Sequence, residues 1–279
     1  MRSNSPFITE TSHAIHEIYY MLRHYDWKKY GSALRKPMLV FMVNNAKGFY
    51  VGGMVDRFKG MISTYAWCKQ RNIDFRIRHI FPFELADYLD PSHYDWRLRE
   101  NEFSTSIWDA TLMRARGEYG RRLVKKKEIR KQIHYYGNRD FLDYINQTGG
   151  TNYTWGELFK ELFQPGKELL ELVKQKSREI SKPYISAVFR FQNLLGDFEE
   201  YKFSTLNDEN RREELIKKCL NGLIDLQEQY PEMSILVTSD STTFIDRASE
   251  LPGICVIGGK RVHMGCTADA AYDTYLNSF

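Results

Sequence analysis

The chain has few cysteines and no run of apolar residues long enough to cross a membrane. Its four cysteines, Cys68, Cys219, Cys255 and Cys266, are scattered, with no C-x-x-C pair and no metal-ligand spacing. This distribution predicts cysteines that are buried in the core or stay reduced in a cytosolic compartment. No apolar stretch approaches the roughly 20 residues of a membrane span, and the first residues lack an apolar signal-peptide core. We therefore expect a cytoplasmic protein without a membrane span.

The chain also lacks a strong excess of charge and the common metal-binding motifs. Its net charge is +4, from 40 Lys and Arg against 36 Asp and Glu, which is too balanced to indicate a nucleic-acid partner. The seven histidines show no H-E-x-x-H spacing, and there is no Asp-x-Asp pair, so the usual signals for a metalloenzyme are missing. The basic run Lys125–Lys127 is typical of a solvated helix face, although peripheral contact with a membrane surface or a lipid-linked glycan stays open.

What the sequence does contain is typical of a globular α/β protein. The chain has 279 residues, of which 42% are hydrophobic and 27% charged, enough for a sizeable core in one large domain or two smaller ones. Aromatic residues make up 14% of the chain, and this enrichment suits both sugar binding and a large core.

Apolar runs and helical periodicity alternate along the chain. The apolar runs predict strands at 37–43, 75–81, 132–136, 184–189, 233–237 and 253–257. The periodic segments predict helices over 12–26, 57–71, 154–163, 165–180, 209–229 and 243–250. This order favours parallel sheets in two α/β domains, an N-terminal one over 1–180 and a C-terminal, Rossmann-like one over 181–279, with a hinge near 175–183.

Two adjacent glycines, Gly52 and Gly53, lie between a predicted strand and a predicted helix. Glycines at such a turn let the backbone approach a ligand closely, and the exposed N–H groups of a helix N-terminus favour anions. Asp56 and Arg57 then fall in the first helical turn. The alternative is a tight turn followed by a solvated arginine.

Arg190 comes directly after the predicted strand 184–189. Its guanidinium is therefore expected at the carboxyl end of the strand, where ligands bind in open α/β sheets. A planar, permanently charged fork matches a pyrophosphate, and Gln192 and Asp197 add polar groups in the following loop. The alternative is a surface ion pair, for example between Arg190 and Asp197 or Glu199.

Ser239, Asp240 and Ser241 follow the next predicted strand. The carboxylate of Asp240 could accept hydrogen bonds from a guanine edge or a ribose hydroxyl. Ser and Asp before a helix are also the expected N-cap residues. The two roles are compatible, since one residue can cap the helix while another binds a ligand.

In this order, the three segments resemble motifs of the fucosyltransferase superfamily that includes the bacterial Nod-factor, plant xyloglucan, α1,6- and protein O-fucosyltransferases. Gly52–Arg57 resembles its glycine-rich motif. Val188–Arg190, continued by Gly196–Asp197, resembles its His-x-Arg-x-Gly-Asp motif, with Val188 in the place of the usual histidine. Ser239–Ser241 resembles its Thr-Asp-Ser-like motif. The likeness covers about residues 35–279.

The resemblance implies a GT-B-like fold, with two Rossmann-like domains facing a cleft. It also implies GDP-fucose as the donor substrate, a glycan or lipid-linked glycan as the acceptor, transfer with inversion, and no metal or other cofactor. The chain ends in what resembles the helix before the last strand of the family. We therefore expect either a short variant or a C-terminal domain that lacks its last part.

The resemblance and the residue chemistry together assign roles to particular side chains. Arg190 is expected to neutralise the departing GDP. Asp56, or another carboxylate such as Glu84 or Asp95, is expected to orient or deprotonate the acceptor hydroxyl. The residues expected to bind the nucleotide sugar are Gly52, Gly53, Arg57, Arg190, Gln192, Asp197, Ser239, Asp240 and Ser241. Two alternatives stay open: a GT-B enzyme that uses another nucleotide sugar, and a non-catalytic relative that binds a nucleotide sugar or a glycan.

Overall fold

The structure is a computed structural model. The residues that it describes are 18–27, 36–44, 52–115, 119–126, 128–180, 183–198, 203–259, 261 and 264. Within these residues, helices alternate with strands, as the sequence pattern predicts.

The elements are numbered here along the chain. The helices are α1 (residues 18–24), α2 (Met54–Arg71), α3 (Tyr119–Val124), α4 (Leu142–Gly149), α5 (Trp155–Leu162), α6 (Lys167–Glu179), α7 (Glu209–Gln229) and α8 (Thr242–Ser249). The strands are β1 (Met38–Val43), β2 (Asp74–His79), β3 (Leu89–Pro91), β4 (Ala110–Arg114), β5 (Gln132–Tyr136), β6 (Phe163–Pro165), β7 (Tyr184–Phe189), β8 (Ser234–Ser239) and β9 (Ile254–Val256). Short 3-10 helices lie at Leu85–Asp87 and Glu100–Glu102.

The chain divides into two compact units. The first contains Met1–Phe81 and Pro91–Gln164, and the second contains Pro82–Asp90 and Pro165–Phe279. The expected boundary at residue 180 does not coincide with this division, because α6 belongs to the second unit.

The sheet of the first unit is parallel, with strand order β2-β1-β5-β4. Every residue of β1 is buried, which explains its uninterrupted apolar sequence. Tyr20 of α1 packs with Met38, Val40 and Met42 on one face. Gly60 lets α2 approach the sheet closely, since a Cβ there would collide with Phe41 and with the carbonyl oxygen of Gly137.

The sheet of the second unit is also parallel, with order β7-β8-β9. The buried cluster on one of its faces combines Ile235 and Val237 of β8 with Ile216 of α7 and Phe244 of α8. The bounds of β7 and α7 match the predicted ranges, and the predicted α/β class with parallel sheets is confirmed.

Several parts of the first unit differ from the sequence pattern, and helix α4 was not predicted. Strand β4 was not predicted, because its five residues mix apolar and polar side chains and are mostly half-buried. Helix α3 ends at Val124, so Lys125 and Lys126 follow the helix and do not extend it. Of the helix predicted over 12–26, residues 18–24 are helical, and its earlier part lies outside the described residues.

Candidate functional site

The carboxyl edge of the second sheet brings Arg190 and Asp240 together. Phe189 of β7 pairs with Ser239 of β8, so the residues that follow the two strands are neighbours. The Nε atom of Arg190 lies 3.4 Å from Oδ2 of Asp240. The side chain of Arg190 is 57% exposed, whereas that of Asp240 is 6% exposed. The guanidinium therefore faces solvent at the place where ligands bind in open α/β sheets.

Asp240 also fixes the loop after β7. Its Oδ1 atom accepts a hydrogen bond from the backbone N–H of Phe191, and its Oδ2 atom accepts one from Gln192, both at 2.8 Å. Gln192 has a φ of 57°, a left-handed conformation that is costly for a residue with a side chain. The two bonds hold this conformation, so Asp240 positions Arg190 and Gln192.

Asp197 and Ser241 lie at the N-terminus of α8. Ser241 is its N-cap, and its hydroxyl accepts from the N–H of Phe244 at 3.1 Å. Oδ2 of Asp197 accepts from the Ser241 hydroxyl and from the N–H of Thr243, both at 2.8 Å. A carboxylate of the protein thus occupies the helix end that would otherwise attract an anion. Ser241 therefore has the capping role that was expected of this segment. Contacts of Asp197 and Ser241 with a ligand stay predictions.

Arg261 is a further cation at this edge, and the sequence patterns did not indicate it. Its guanidinium donates to the carbonyl oxygens of Ser239 at 3.0 Å, Gly259 at 3.0 Å and Ile257 at 2.9 Å. Burial lowers the pKa of Arg261, while the carboxylates of Asp246 and Asp197 act in the opposite direction. An arginine shortly after a predicted strand, as at Arg190, was the signal available in the sequence.

In the first unit, Arg57 is a buried residue that fixes the turn before α2. It is 1% exposed, and its Nε donates to the carbonyl oxygen of Gly52 at 3.0 Å. Its Nη1 donates to the carbonyl oxygen of Phe81 at 2.8 Å and is hydrogen-bonded to Nε2 of His79 at 2.9 Å. The solvated arginine considered as an alternative is therefore not observed. These contacts make Arg57 a link between the turn and the end of β2.

The other residues of the glycine-rich segment have distinct environments. Gly52 has a φ of +73°, and a Cβ there would lie 2.7 Å from Oδ2 of Asp56 and 3.1 Å from Nδ2 of Asn138, so this position requires glycine. Gly53 is the N-cap of α2, with open space around it. Asp56 is 45% exposed and forms an ion pair with Lys59 at 3.0 Å.

A buried chain of hydrogen bonds runs along the face of the first sheet that α1 covers. Nε2 of His134 lies 3.2 Å from the Oε1 acceptor of Gln132, and Nδ1 of His134 lies 2.7 Å from Nε2 of His24. Nδ1 of His24 lies 3.2 Å from the hydroxyl of Tyr136, which accepts from Nδ2 of Asn44 at 2.8 Å. This pattern is complete when both imidazoles are neutral, each donating one N–H and accepting at its other nitrogen.

Acidification is expected to destabilise the protein through this histidine pair. Burial, followed by the charge of Arg78, lowers the pKa of His24 from 6.5 to about 4, and burial lowers the pKa of His134 as well. Between these values the unfolded chain binds more protons than the folded one. The free energy of unfolding therefore falls from about pH 6.5 towards pH 4, by roughly 3 kcal/mol for His24 alone.

Chemical denaturation between pH 7 and pH 4 measures this loss, with His24→Gln as the matched variant. Glutamine keeps a donor and an acceptor but has no proton to gain. Its stability is expected to depend less on pH over this interval. Equal slopes for the two proteins would contradict the role of His24.

Among the residues that the structure describes, no group of three or more His, Cys, Asp and Glu side chains is arranged to hold a metal ion. Of the described helices, none combines the length and apolar character that a membrane crossing needs.

Comparison with known proteins identifies structural relatives only. No protein-family model matches the chain, and no curated protein matches it significantly in sequence. The chain is similar to crystal structures of the fucosyltransferase NodZ from Bradyrhizobium, in native and selenomethionine form, and to NodZ α-1,6-fucosyltransferase co-crystallised with GDP. Each match has a TM-score of 0.50 and 10% identity and covers 80% of this chain and 78–80% of the other.

At this identity the similarity shows the fold alone. The predicted GT-B-like fold is thereby confirmed as a fold, in a chain whose two main sheets are parallel.

Proposed function

We propose that the chain is a metal-independent glycosyltransferase that transfers fucose from GDP-fucose to a hydroxyl group of a glycan acceptor, with inversion. The observation that carries this proposal is the solvent-facing guanidinium of Arg190, held beside Asp240 at the carboxyl edge of a parallel sheet. The fold shared with a fucosyltransferase co-crystallised with GDP supports the choice of nucleotide.

The proposed reaction places negative charge where the second unit offers positive charge. The acceptor oxygen attacks the anomeric carbon of fucose while the bond from that carbon to the β-phosphate oxygen breaks, and GDP leaves as an anion. Arg190 donates two N–H groups to the diphosphate, and Arg261 adds a second positive charge at the same edge. Such fixed charges stabilise the transition state more than the bound substrate. Asp240 is a positioning residue, because both of its oxygens already accept hydrogen bonds.

Asp56 is the proposed group for the acceptor hydroxyl. Its carboxylate is 45% exposed and follows the Gly52 turn at the N-terminus of α2. A carboxylate in this place is suited to orient the hydroxyl and to take its proton as the new bond forms. Lys59 forms an ion pair with this carboxylate at 3.0 Å.

A second candidate function is binding of a nucleotide sugar without turnover. The specific observation in its favour is Val188, which is 75% exposed and stands where the resembled motif has a histidine. An isopropyl group can neither donate nor accept a hydrogen bond. A polar contact of the motif is therefore replaced by an apolar surface.

Thermal unfolding with and without nucleotides tests the proposal. A ligand that binds only the folded protein raises its stability, by roughly 2.7 kcal/mol at a concentration a hundred times its Kd. We expect GDP and GDP-fucose to raise the Tm and UDP to leave it unchanged. Release of GDP from GDP-fucose, with and without a glycan acceptor panel, then separates a transferase from a binding protein. A protein stabilised by none of the nucleotides would contradict both candidate functions.

A further inference from the structure

The first sheet carries two arginines in one row at its carboxyl end, on the face covered by α1. Arg78 of β2 pairs with Met42 of β1, and Arg114 of β4 pairs with Tyr136 of β5. Val40 pairs with His134, so Met42 and Tyr136 each lie two residues further along their strands. The two arginines therefore stand at the ends of a four-strand row, roughly 14 Å apart at strand spacing.

The charge of Arg78 has no counterion among the described residues. Its guanidinium carbon lies 4.9 Å from the centre of the Phe103 ring, and the side chain is half-buried. Arg76 lies on the same face, one row earlier, and pairs with Glu102 at 3.6 Å. Arg76 thus has a carboxylate within reach, whereas Arg78 packs on an aromatic ring.

Three titratable groups near Arg78, namely His24, His134 and Tyr136, are uncharged at neutral pH. Burial and the charge of Arg78 lower the pKa values of His24 and His134, and burial raises that of Tyr136. Arg114 also lies on this face and stacks on Tyr20, with its guanidinium carbon 3.6 Å from the ring centre. The end of the row is therefore a partly desolvated region with positive charge.

We propose that Arg78 binds an oxyanion, a carboxylate or a phosphate monoester, carried by a sugar that reaches the carboxyl edge of the first sheet. A guanidinium fork matches either group with two parallel hydrogen bonds. Partial burial strengthens the attraction relative to that of a solvated arginine. The Asn44 amide lies at the same strand ends, beside the Tyr136 hydroxyl.

This site specifies the acceptor of the proposed function. Ligands of parallel sheets bind beyond the carboxyl ends of the strands, and in the proposed reaction the second unit holds the donor. The sugar bound at Arg78 is then an acidic glycan acceptor. This last step rests on the proposed function, whereas the oxyanion site itself does not.

Titration calorimetry and thermal unfolding with glucuronic acid, glucose 6-phosphate and glucose test the inference. We expect at least one of the two acidic sugars to bind and raise the Tm, with glucose inactive at the same concentration. Binding should weaken with added salt. The acidic sugar that binds identifies the group as a carboxylate or a phosphate.

The variant Arg78→Met is expected to weaken this binding at least about tenfold, since a charge-assisted pair is lost. Arg130→Met is the control, because Arg130 is exposed and precedes the amino end of β5. Arg78→Met should also raise the pKa of His24 in an NMR titration, which shows that the surroundings of the site are intact. If the methionine variant does not fold, Arg78→Lys keeps the charge and should bind the acidic sugar more weakly than wild type.

The inference is overturned if neither acidic sugar binds, if glucose binds equally well, or if the folded Arg78 variants bind like wild type. Thermal unfolding with GDP is measured on the same samples. Stabilisation by GDP without acidic-sugar binding would remove this inference alone. Binding of an acidic sugar without any effect of GDP or GDP-fucose would remove the proposed function and leave the oxyanion site.

Discussion

Replacing Arg190 with alanine is expected to lower kcat and kcat/KM for fucose transfer together, by about a hundredfold. This is the scale for one charged group that stabilises the departing anion, roughly 3 kcal/mol. Because the side chain is 57% exposed, the loss should appear mainly in activity. Asp240 loses one partner but keeps its bonds from Phe191 and Gln192, so the variant is expected to stay folded. Steady-state kinetics with GDP-fucose and a Tm measurement check both statements.

Two further variants separate charge, geometry and general effects of removing an arginine. Arg190→Lys should recover little activity, because an ammonium keeps the charge but loses the two-pronged donor. Arg211→Ala removes an exposed arginine from the first turn of α7 and should leave transfer unchanged. An Arg190→Ala protein that transfers fucose normally but melts earlier would make Arg190 a structural ion-pair residue. Most of the argument for the proposed function would then fail.

The sequence predicted the candidate residues of the second unit because local signals there agree. An apolar run predicts the bounds of β7, and the run at 233–237 overlaps β8, which extends to Ser239. Whatever follows two neighbouring parallel strands must lie at one edge. The proximity of Arg190 and Asp240 follows from this rule. Their direct ion pair does not, because the expected pair for Arg190 was Asp197 or Glu199. The geometry of a loop after a strand depends on contacts distant in sequence.

Other features lay beyond what a local pattern can show. Asp197 contacts the N-terminus of α8, 46 residues further along the chain, and no sequence spacing indicates such a contact. Strand β4 was missed because its short, half-buried sequence has no clear alternation. The place of Arg57 in the first turn of α2 did not reveal whether its side chain faces solvent or the sheet. In each case a tertiary contact decides what the local sequence leaves open.

Replacing Arg57 with methionine is expected to lower the free energy of unfolding by about 3 kcal/mol. The substitution removes a buried guanidinium that donates to the carbonyl oxygens of Gly52 and Phe81 and bonds to His79. These groups would stay buried without their donor, which costs several kcal/mol in comparable sites. For a protein of this size the change corresponds to a drop in Tm of roughly 6–12 °C. Thermal and denaturant unfolding measure it.

Lys59→Met is the matched control, because Lys59 lies on the same helix, is 41% exposed, and pairs with an exposed carboxylate. Surface pairs of this kind contribute little to stability, so its Tm should stay close to that of wild type. GDP should still stabilise folded Arg57→Met, since Arg57 has a structural role in the first unit. The opposite pattern, an unchanged Tm together with lost nucleotide binding or turnover, would restore Arg57 as a ligand-binding residue. The buried contacts of its guanidinium would then have to rearrange when the ligand binds.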